Sequence, residues 1–420
     1  MKTHFPIICI AFVAATATAK ADYLPFSPSQ VLTSQTSVYD WSGFYAGVGV
    51  VTGYVLDEVS VPALGTSISG VGGRGFGGSV TAGYDHMFSN GFVLGGAVVG
   101  RYGDIDTSWT TAVFSAELKA DYGFDVIGRL GYAVTPRTMA YVLGGYSWQH
   151  FELSSTLPAA FSTDWSDSGY VVGIGTETAL RKNWTWSSGY RYSSYSGNAI
   201  AALGGASIDP VTHIFHTGIN YRFGGGPSEY SRDPFVHEWS GVKIGGAVSV
   251  GASLNKAVAG GSTFDGFGTE GYLGEINIGY DREFGERWLA GVVLAAEYIS
   301  ASSSATFAGA TITAEADDFG FDALVRVGRK FNDYTLGYII GGYTWQRLSA
   351  SLSAPAISTD VGVNALSIGS GTELALSERT SAYVEYRYTI YEDVDIGTLA
   401  TIEPSSHTIR LGAKFKLYPY

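Results

Sequence analysis

The most regular stretches of this chain alternate apolar with polar or very small residues at a period of two. Phe215, Thr217, Ile219, Tyr221 and Phe223 share one side of an extended strand, opposite His216, Gly218, Asn220 and Arg222. Near the carboxyl end, Ile409, Leu411, Ala413, Phe415 and Leu417 alternate with Arg410, Gly412, Lys414 and Lys416. The same alternation predicts eight strands in each half of the chain. In the first half they run over 42–52, 75–87, 91–103, 119–133, 138–151, 167–180, 184–196 and 211–223. In the second they run over 240–250, 269–283, 287–299, 315–329, 334–348, 363–376, 380–391 and 406–417. The connections are alternately long and short, and the short ones carry turn residues such as Ser89-Asn90-Gly91 and Thr135-Pro136-Arg137. Four long loops on one side and three short turns on the other predict an all-β fold, a transmembrane antiparallel up-and-down β-barrel.

The halves repeat one another. Trp41-Ser42-Gly43 recurs as Trp239-Ser240-Gly241, Gly83-Tyr84-Asp85 as Gly279-Tyr280-Asp281, and Gly123-Phe124-Asp125 as Gly320-Phe321-Asp322. Gly175-Thr176-Glu177 matches Gly371-Thr372-Glu373, and Tyr190-Arg191-Tyr192 matches Tyr386-Arg387-Tyr388. A period of this size is a whole domain. The expected division is a first barrel repeat over 41–223, a Gly/Pro-rich linker over 224–238 and a second repeat over 239–420. Two tandem eight-stranded barrels are favoured by the linker and by small inward positions such as Gly173, Gly175, Gly218, Gly369, Gly371 and Gly412. The alternative is one sixteen-stranded barrel, wide enough to be a general diffusion porin.

Composition sharpens this picture. The chain holds 57 Gly, 28 Tyr and only 15% charged residues, which excludes disorder. Residues 1–21 have the layout of a secretory signal peptide, a short polar start, an apolar stretch and Ala19-Lys20-Ala21, followed by an amino-terminal periplasmic extension over 22–40. The net charge of −13 argues against nucleic acid as a partner. A soluble sandwich would produce the same alternation with the sense reversed. Export, loop asymmetry and aromatic residues near strand ends favour the membrane, with Trp184, Trp186, Tyr343 and Trp345 expected at headgroup level.

The alternation places a set of charges inside: Asp125, Arg129, Glu177 and Arg191 in the first copy, then Asp322, Arg326, Glu373, Glu385 and Arg387 in the second. A buried carboxylate–guanidinium network is the expectation, serving as lumen polarity or as a plug. No metal-ligand spacing, cofactor fingerprint or catalytic constellation stands in a plausible context, so no catalytic residue, cofactor or metal is expected. His213 and His407 occupy matching positions and read as solvated rim residues. Acids at Asp104, Asp106, Asp164, Asp167, Asp209, Asp265, Asp393, Asp395 and Glu403, opposed mainly by Arg74 and Arg101, predict acidic outer loops and a preference for cations.

Trp41-Ser42-Gly43-Phe44-Tyr45-Ala46-Gly47, Gly175-Thr176-Glu177, the Tyr-Arg-Tyr run and the closing His216 to Phe223 segment resemble the opacity-type, immunogenic porin-like family of small outer-membrane barrels of Gram-negative bacteria. The likeness covers 41–223 well and 239–417 more loosely, and tandem duplication departs from the family's single barrel. It implies a structural, surface-antigen or weak pore role in the cell outer membrane, without catalysis; an outer-membrane barrel enzyme acting on lipid or peptide is the lesser alternative. It also implies carboxy-terminal assembly signals, here Gly218, Tyr221 and Phe223 and again Gly412, Phe415 and Leu417. Expected partners are outer-membrane lipid and the barrel assembly machinery, with small cations and host surface molecules as further candidates.

Overall fold

The computed structural model describes residues 36–61, 66–110, 115–157, 160–200, 206–259, 261–307, 310–353, 356–396 and 400–417. The signal-peptide reading at 1–21, most of the 22–40 extension and Tyr418–Tyr420 lie outside the described residues. The first half contains β1 (Thr36–Tyr39), β2 (Gly43–Val61), β3 (Thr66–Met87), β4 (Phe92–Thr110), β5 (Ser115–Thr135), β6 (Thr138–Leu157), β7 (Phe161–Ala179), β8 (Trp184–Tyr195), β9 (Asn198–Ile200) and β10 (Ala206–Arg222). After β11 (Pro227–Arg232) come β12 (Gly241–Ala259), β13 (Ser262–Phe284), β14 (Trp288–Phe307), β15 (Ala310–Asn332), β16 (Thr335–Ser353), β17 (Ala356–Ala375), β18 (Thr380–Tyr391), β19 (Val394–Ile396) and β20 (Ala400–Lys416).

Antiparallel ladders join β2 through β8 in order, β8 pairs with β10, and β10 returns to β2 from Arg222↔Tyr45 to Ser207↔Ser60. The second half repeats this through β12 to β18 and β20, which closes on β12 from Lys416↔Lys243 to Thr401↔Val258. The ladder order thus describes two closed sets of eight strands rather than one set of sixteen. Closure of each set leaves no unpaired strand edge, a requirement for any sheet surrounded by hydrocarbon.

The outer wall carries an apolar belt with aromatic margins. On β5, Tyr122, Phe124, Val126 and Leu130 are exposed, and Tyr132 ends the row, while Gly123, Asp125, Ile127 and Arg129 point inward and are buried. Ten residues at the tilt of such strands span about 25 Å, the height of a bilayer's apolar zone. The strands are longer than the sequence pattern indicated because they continue past this belt. There the sense of the alternation reverses. Glu117 and Lys119 face out, and Leu118 and Ala120 face in, after a bulge between Ala120 and Gly123 shifts the phase by one. Val55, Ile105, Ala120, Phe151 and Tyr195 form a buried apolar cluster in this projecting part. Asp104 and Asp106 lie on β4, Asp164 and Asp167 on β7, Asp209 on β10 and Asp265 on β13, so the acids expected on loops belong to projecting strands.

Each copy begins in the same way, which explains the repeated Trp-Ser-Gly. Trp41 and Trp239 are buried inside the chain-terminal mouths of their barrels. Ser42 Oγ accepts the Met87 N–H at 3.0 Å, and Ser240 Oγ accepts the Glu283 N–H at 2.9 Å. Gly43 and Gly241 take φ of 120° and 122°, a conformation that side chains strain, to turn the chain from the mouth into the wall.

The segment expected to be a plain linker is partly ordered by pairing. β11 forms a two-stranded sheet with β1, and Ser228 Oγ donates to Val38 O at 2.9 Å. Tyr230 packs beside Tyr132, Phe235 meets Tyr334 edge-on, and His237 Nδ1 lies 2.7 Å from Ser377 O. The segment therefore straps the turns of both barrels at their shared end.

Candidate functional site

Each lumen is filled by ion pairs in two layers. In the layer nearest Trp41, Arg129 donates from Nε to Asp85 Oδ1 at 2.7 Å and from Nη1 to Glu177 Oε2 at 3.0 Å, and its Nη2 also reaches Asp85. Arg222 spans the same carboxylates, with Nε on Glu177 Oε1 at 2.9 Å and Nη2 on Asp85 Oδ2 at 2.7 Å. Its Nη1 donates to Trp41 O at 2.7 Å, and its guanidinium stacks 4.9 Å from the Trp41 ring. Thr185 Oγ1 adds a 2.6 Å hydrogen bond to Glu177. Two acids face two guanidiniums, so the layer is neutral.

The second layer holds Asp125 between Arg101, at 3.0 Å, and Arg191, at 3.3 Å, with Ser147 Oγ donating at 2.7 Å. Asp125 and Arg129 share a strand face yet belong to different layers, because four residues along a strand cover about 13 Å. Arg101, which the sequence set against the acids of the outer loops, is buried in this layer.

The second barrel keeps the plan and changes the charges. Arg326 reaches Asp281 at 2.8 and 2.5 Å and Glu373 at 2.6 Å. Lys243 Nζ stands 3.1 Å from Asp281, and Lys414 Nζ donates to Glu373 at 3.0 Å. Deeper in, Arg387 binds Glu385 at 2.6 Å and also contacts Glu297 and Asp322, while Arg410 joins Glu275 to Glu297. Register places Glu297 opposite Gly320 as Arg101 stands opposite Gly123, so one position is Arg in the first copy and Glu in the second. Glu275, Glu297 and Asp322 bring carboxylate oxygens within 4.8 Å of one another, a spacing that could hold a cation. Arg387 and Arg410 already sit against these oxygens and supply the positive charge.

Tyrosine rings lie across the lumen over cross-strand glycines. A Cβ on Gly175 would sit 2.5 Å from the Tyr141 ring, and one on Gly371 would sit 2.6 Å from Tyr338. The inward glycines therefore make room for these rings, which in turn flank Arg129 and Arg326.

A second polar cluster lies outside the lumens, where the two walls meet. His213 points out from β10 on the same face as Phe215, yet it is only 2% exposed. Its Nε2 is 2.8 Å from Glu270 of the second barrel, its Nδ1 is 2.8 Å from Tyr190 Oη, and Tyr54 stacks on it at 4.5 Å. His407, its repeat counterpart, lies 2.7 Å from Tyr386 Oη and 6.1 Å from the Tyr54 ring. Phe215 stacks on Tyr386, Trp186 meets Phe331, and Thr138 Oγ1 touches Thr335 Oγ1 at 2.8 Å. Short ladders join Thr110–Ser108 to Thr263–Asp265 in the projecting part. The histidines expected at a solvated rim thus belong to a seam between barrels, and Trp186, expected at headgroup level, packs there too.

A sequence profile of the outer membrane protein beta-barrel domain matches residues 7–223 and again 234–415. The chain belongs to that family. It is 30% identical over 237 residues to the 31 kDa outer-membrane immunogenic protein of Brucella melitensis, an alignment that takes in 51% of this chain and 97% of that protein, and equally to its Brucella suis counterpart. Among solved structures, the attachment invasion locus protein of Yersinia pestis aligns with 43% of this chain and 99% of its own at 16% identity and a TM-score of 0.26.

This is an outer-membrane barrel protein of a Gram-negative bacterium. The nine charges selected from the sequence, Asp125, Arg129, Glu177, Arg191, Asp322, Arg326, Glu373, Glu385 and Arg387, are all buried and all in ion pairs with luminal partners. The strand pattern had put Arg222, Arg410 and Lys414 on the polar face, but Asp85, Arg101, Lys243, Glu275, Asp281 and Glu297 were missed as members. The repeated Gly-Tyr-Asp at Asp85 and Asp281 was the available signal. Gly218 and Gly412 face the lumen, whereas Tyr221, Phe223, Phe415 and Leu417 are exposed on the outer wall near the closing ends.

Proposed function

We propose that this protein is a pair of closed barrels that serves the outer membrane as a structural and surface-antigen protein, a tandem form of the opacity-type, immunogenic porin-like group. The observation that carries this reading is the filling of both lumens. Asp85, Asp125, Glu177 and Glu373 have no solvent-exposed surface, and each is held by at least two cationic partners or a cation and hydroxyls. Eight strands leave an interior that side chains can fill, in contrast to the water channel of sixteen. The working surface is then the projecting extracellular strands, whose outward acids attract small cations and keep the surface hydrated. The name of the Brucella relatives, immunogenic, suits such a surface.

The reading includes no catalysis. His213 and His407 each pair with a tyrosine hydroxyl, at 2.8 and 2.7 Å, and these pairs serve the packing between the walls. Lipid and the barrel assembly machinery are its partners, the second through the closing segments at Tyr221–Phe223 and Phe415–Leu417.

Planar-bilayer recording of the refolded full-length protein tests this. Near silence, with any residual current favouring cations, is expected. Stable large-conductance steps of a general porin would overturn it.

A further inference from the structure

The seam between the barrels is not fully packed. A cavity of about 560 Å³ opens along it on the lipid-facing side, lined from one barrel by Arg74 and Phe76 and from the other by Ile368, Tyr386, Tyr388 and His407. Phe76 is exposed at the upper margin of the apolar belt, and Arg74 is the next outward position toward the extracellular side. Arg74 therefore stands at headgroup height, and Ile368 and Tyr386 lie beside the acyl region below.

Two groups at the upper end offer unused hydrogen-bond donors. His407 is 5% exposed, and its Nε2 has no partner. Tyr386 Oη lies 2.7 Å from Nδ1, and in the tautomer in which that hydroxyl donates to Nδ1 the ring carries its proton on Nε2, free to meet an anion. Arg74 donates from Nη1 to Ser405 Oγ at 2.6 Å, whereas its Nη2 stands 3.9 Å from Asp265, beyond hydrogen-bond reach. A guanidinium and an imidazole N–H above an apolar trough match an anionic head on a hydrocarbon tail.

We propose that this groove holds a phosphate-bearing lipid of the outer leaflet, with its phosphate on Arg74 and His407 and an acyl chain along Phe76, Ile368 and Tyr388. Guanidinium suits this because it offers paired donors to phosphate oxygens. Asp265 competes for Arg74, so its removal strengthens the site. The proposal does not depend on whether the lumens conduct.

Native mass spectrometry of the full chain released from detergent micelles tests it, with three probes: diphosphorylated lipid A, the same lipid without phosphates, and inorganic phosphate. The phosphorylated lipid alone is expected to stay bound. Arg74→Gln with His407→Gln should lower the bound fraction about tenfold, the effect of losing charge-assisted hydrogen bonds, and Asp265→Asn should keep or raise it. Heat-dependent gel mobility checks that every variant is folded. Equal retention of dephosphorylated lipid, retention of inorganic phosphate, or a double variant that binds like the parent would each overturn the assignment.

Discussion

Replacing Arg129 with Met removes a charge from the lumen and keeps most of the volume of its stem. The structure sets the size of the effect. Arg129 makes three charge-assisted contacts to Asp85 and Glu177 and lies 4.6 Å from the Tyr45 ring. Stranding a buried carboxylate costs about 3–5 kcal/mol. Here Arg222 still holds both acids, at 2.7 Å to Asp85 and 2.9 Å to Glu177, which keeps the loss at the lower end. The expected cost is about 3 kcal/mol, more than a hundredfold in the unfolding equilibrium. Arg191→Met is the internal comparison. Arg191 touches Asp125 through one 3.3 Å contact, and Asp125 retains Arg101 and Ser147, so about 1 kcal/mol is expected. Denaturant unfolding in detergent micelles, followed by tryptophan fluorescence and by heat-dependent gel mobility, gives both numbers. Equal midpoints for parent and Arg129→Met, or a larger loss for Arg191→Met, would refute the layered assignment.

Two further outcomes are expected. Gly175→Ala drives a Cβ to within 2.5 Å of Tyr141, so it should cost about 1–3 kcal/mol alone and little in a Tyr141→Ala background, as a double-mutant cycle would read. Burial holds the His237 pKa below its ordinary value, so protonation favours the detached linker. The anchor on Ser377 should be intact above about pH 6.5 and weaken as pH falls below it, seen as faster proteolysis within 226–238, and His237→Gln should remove that pH dependence.

Much of the wall was legible in the sequence because a lipid-facing strand displays its two faces directly. Phe215 to Phe223 and Ile409 to Leu417 separate apolar from polar residues without help from tertiary contacts. The limits have physical causes. The alternation gives the face of a residue but not its height, so Asp125 and Arg129 look like neighbours although their partners come from other strands. Beyond the membrane the apolar face turns inward, and a bulge after Ala120 shifts the phase, so Asp104, Asp106 and Asp265 resembled loop residues. The seam was hidden for another reason. His213, Tyr190 and Glu270 occupy ordinary outward positions, and only the second barrel's location explains why polar groups stand there.

That seam also bears on assembly. Separate barrels would have to find one another in the plane of the membrane, and their association would vary with how many copies each cell makes. Here the segment 224–238 ties one wall to the other, so the second barrel is present at a fixed, high effective concentration wherever the first inserts. Stoichiometry no longer depends on expression level. A polar patch such as Tyr54, His213 and Glu270, which would be poorly tolerated facing hydrocarbon in a lone barrel, becomes safe to keep. Joining two barrels in one chain can thereby turn an intermittent encounter into a permanent one and free the joined surfaces to differ from the rest of the wall.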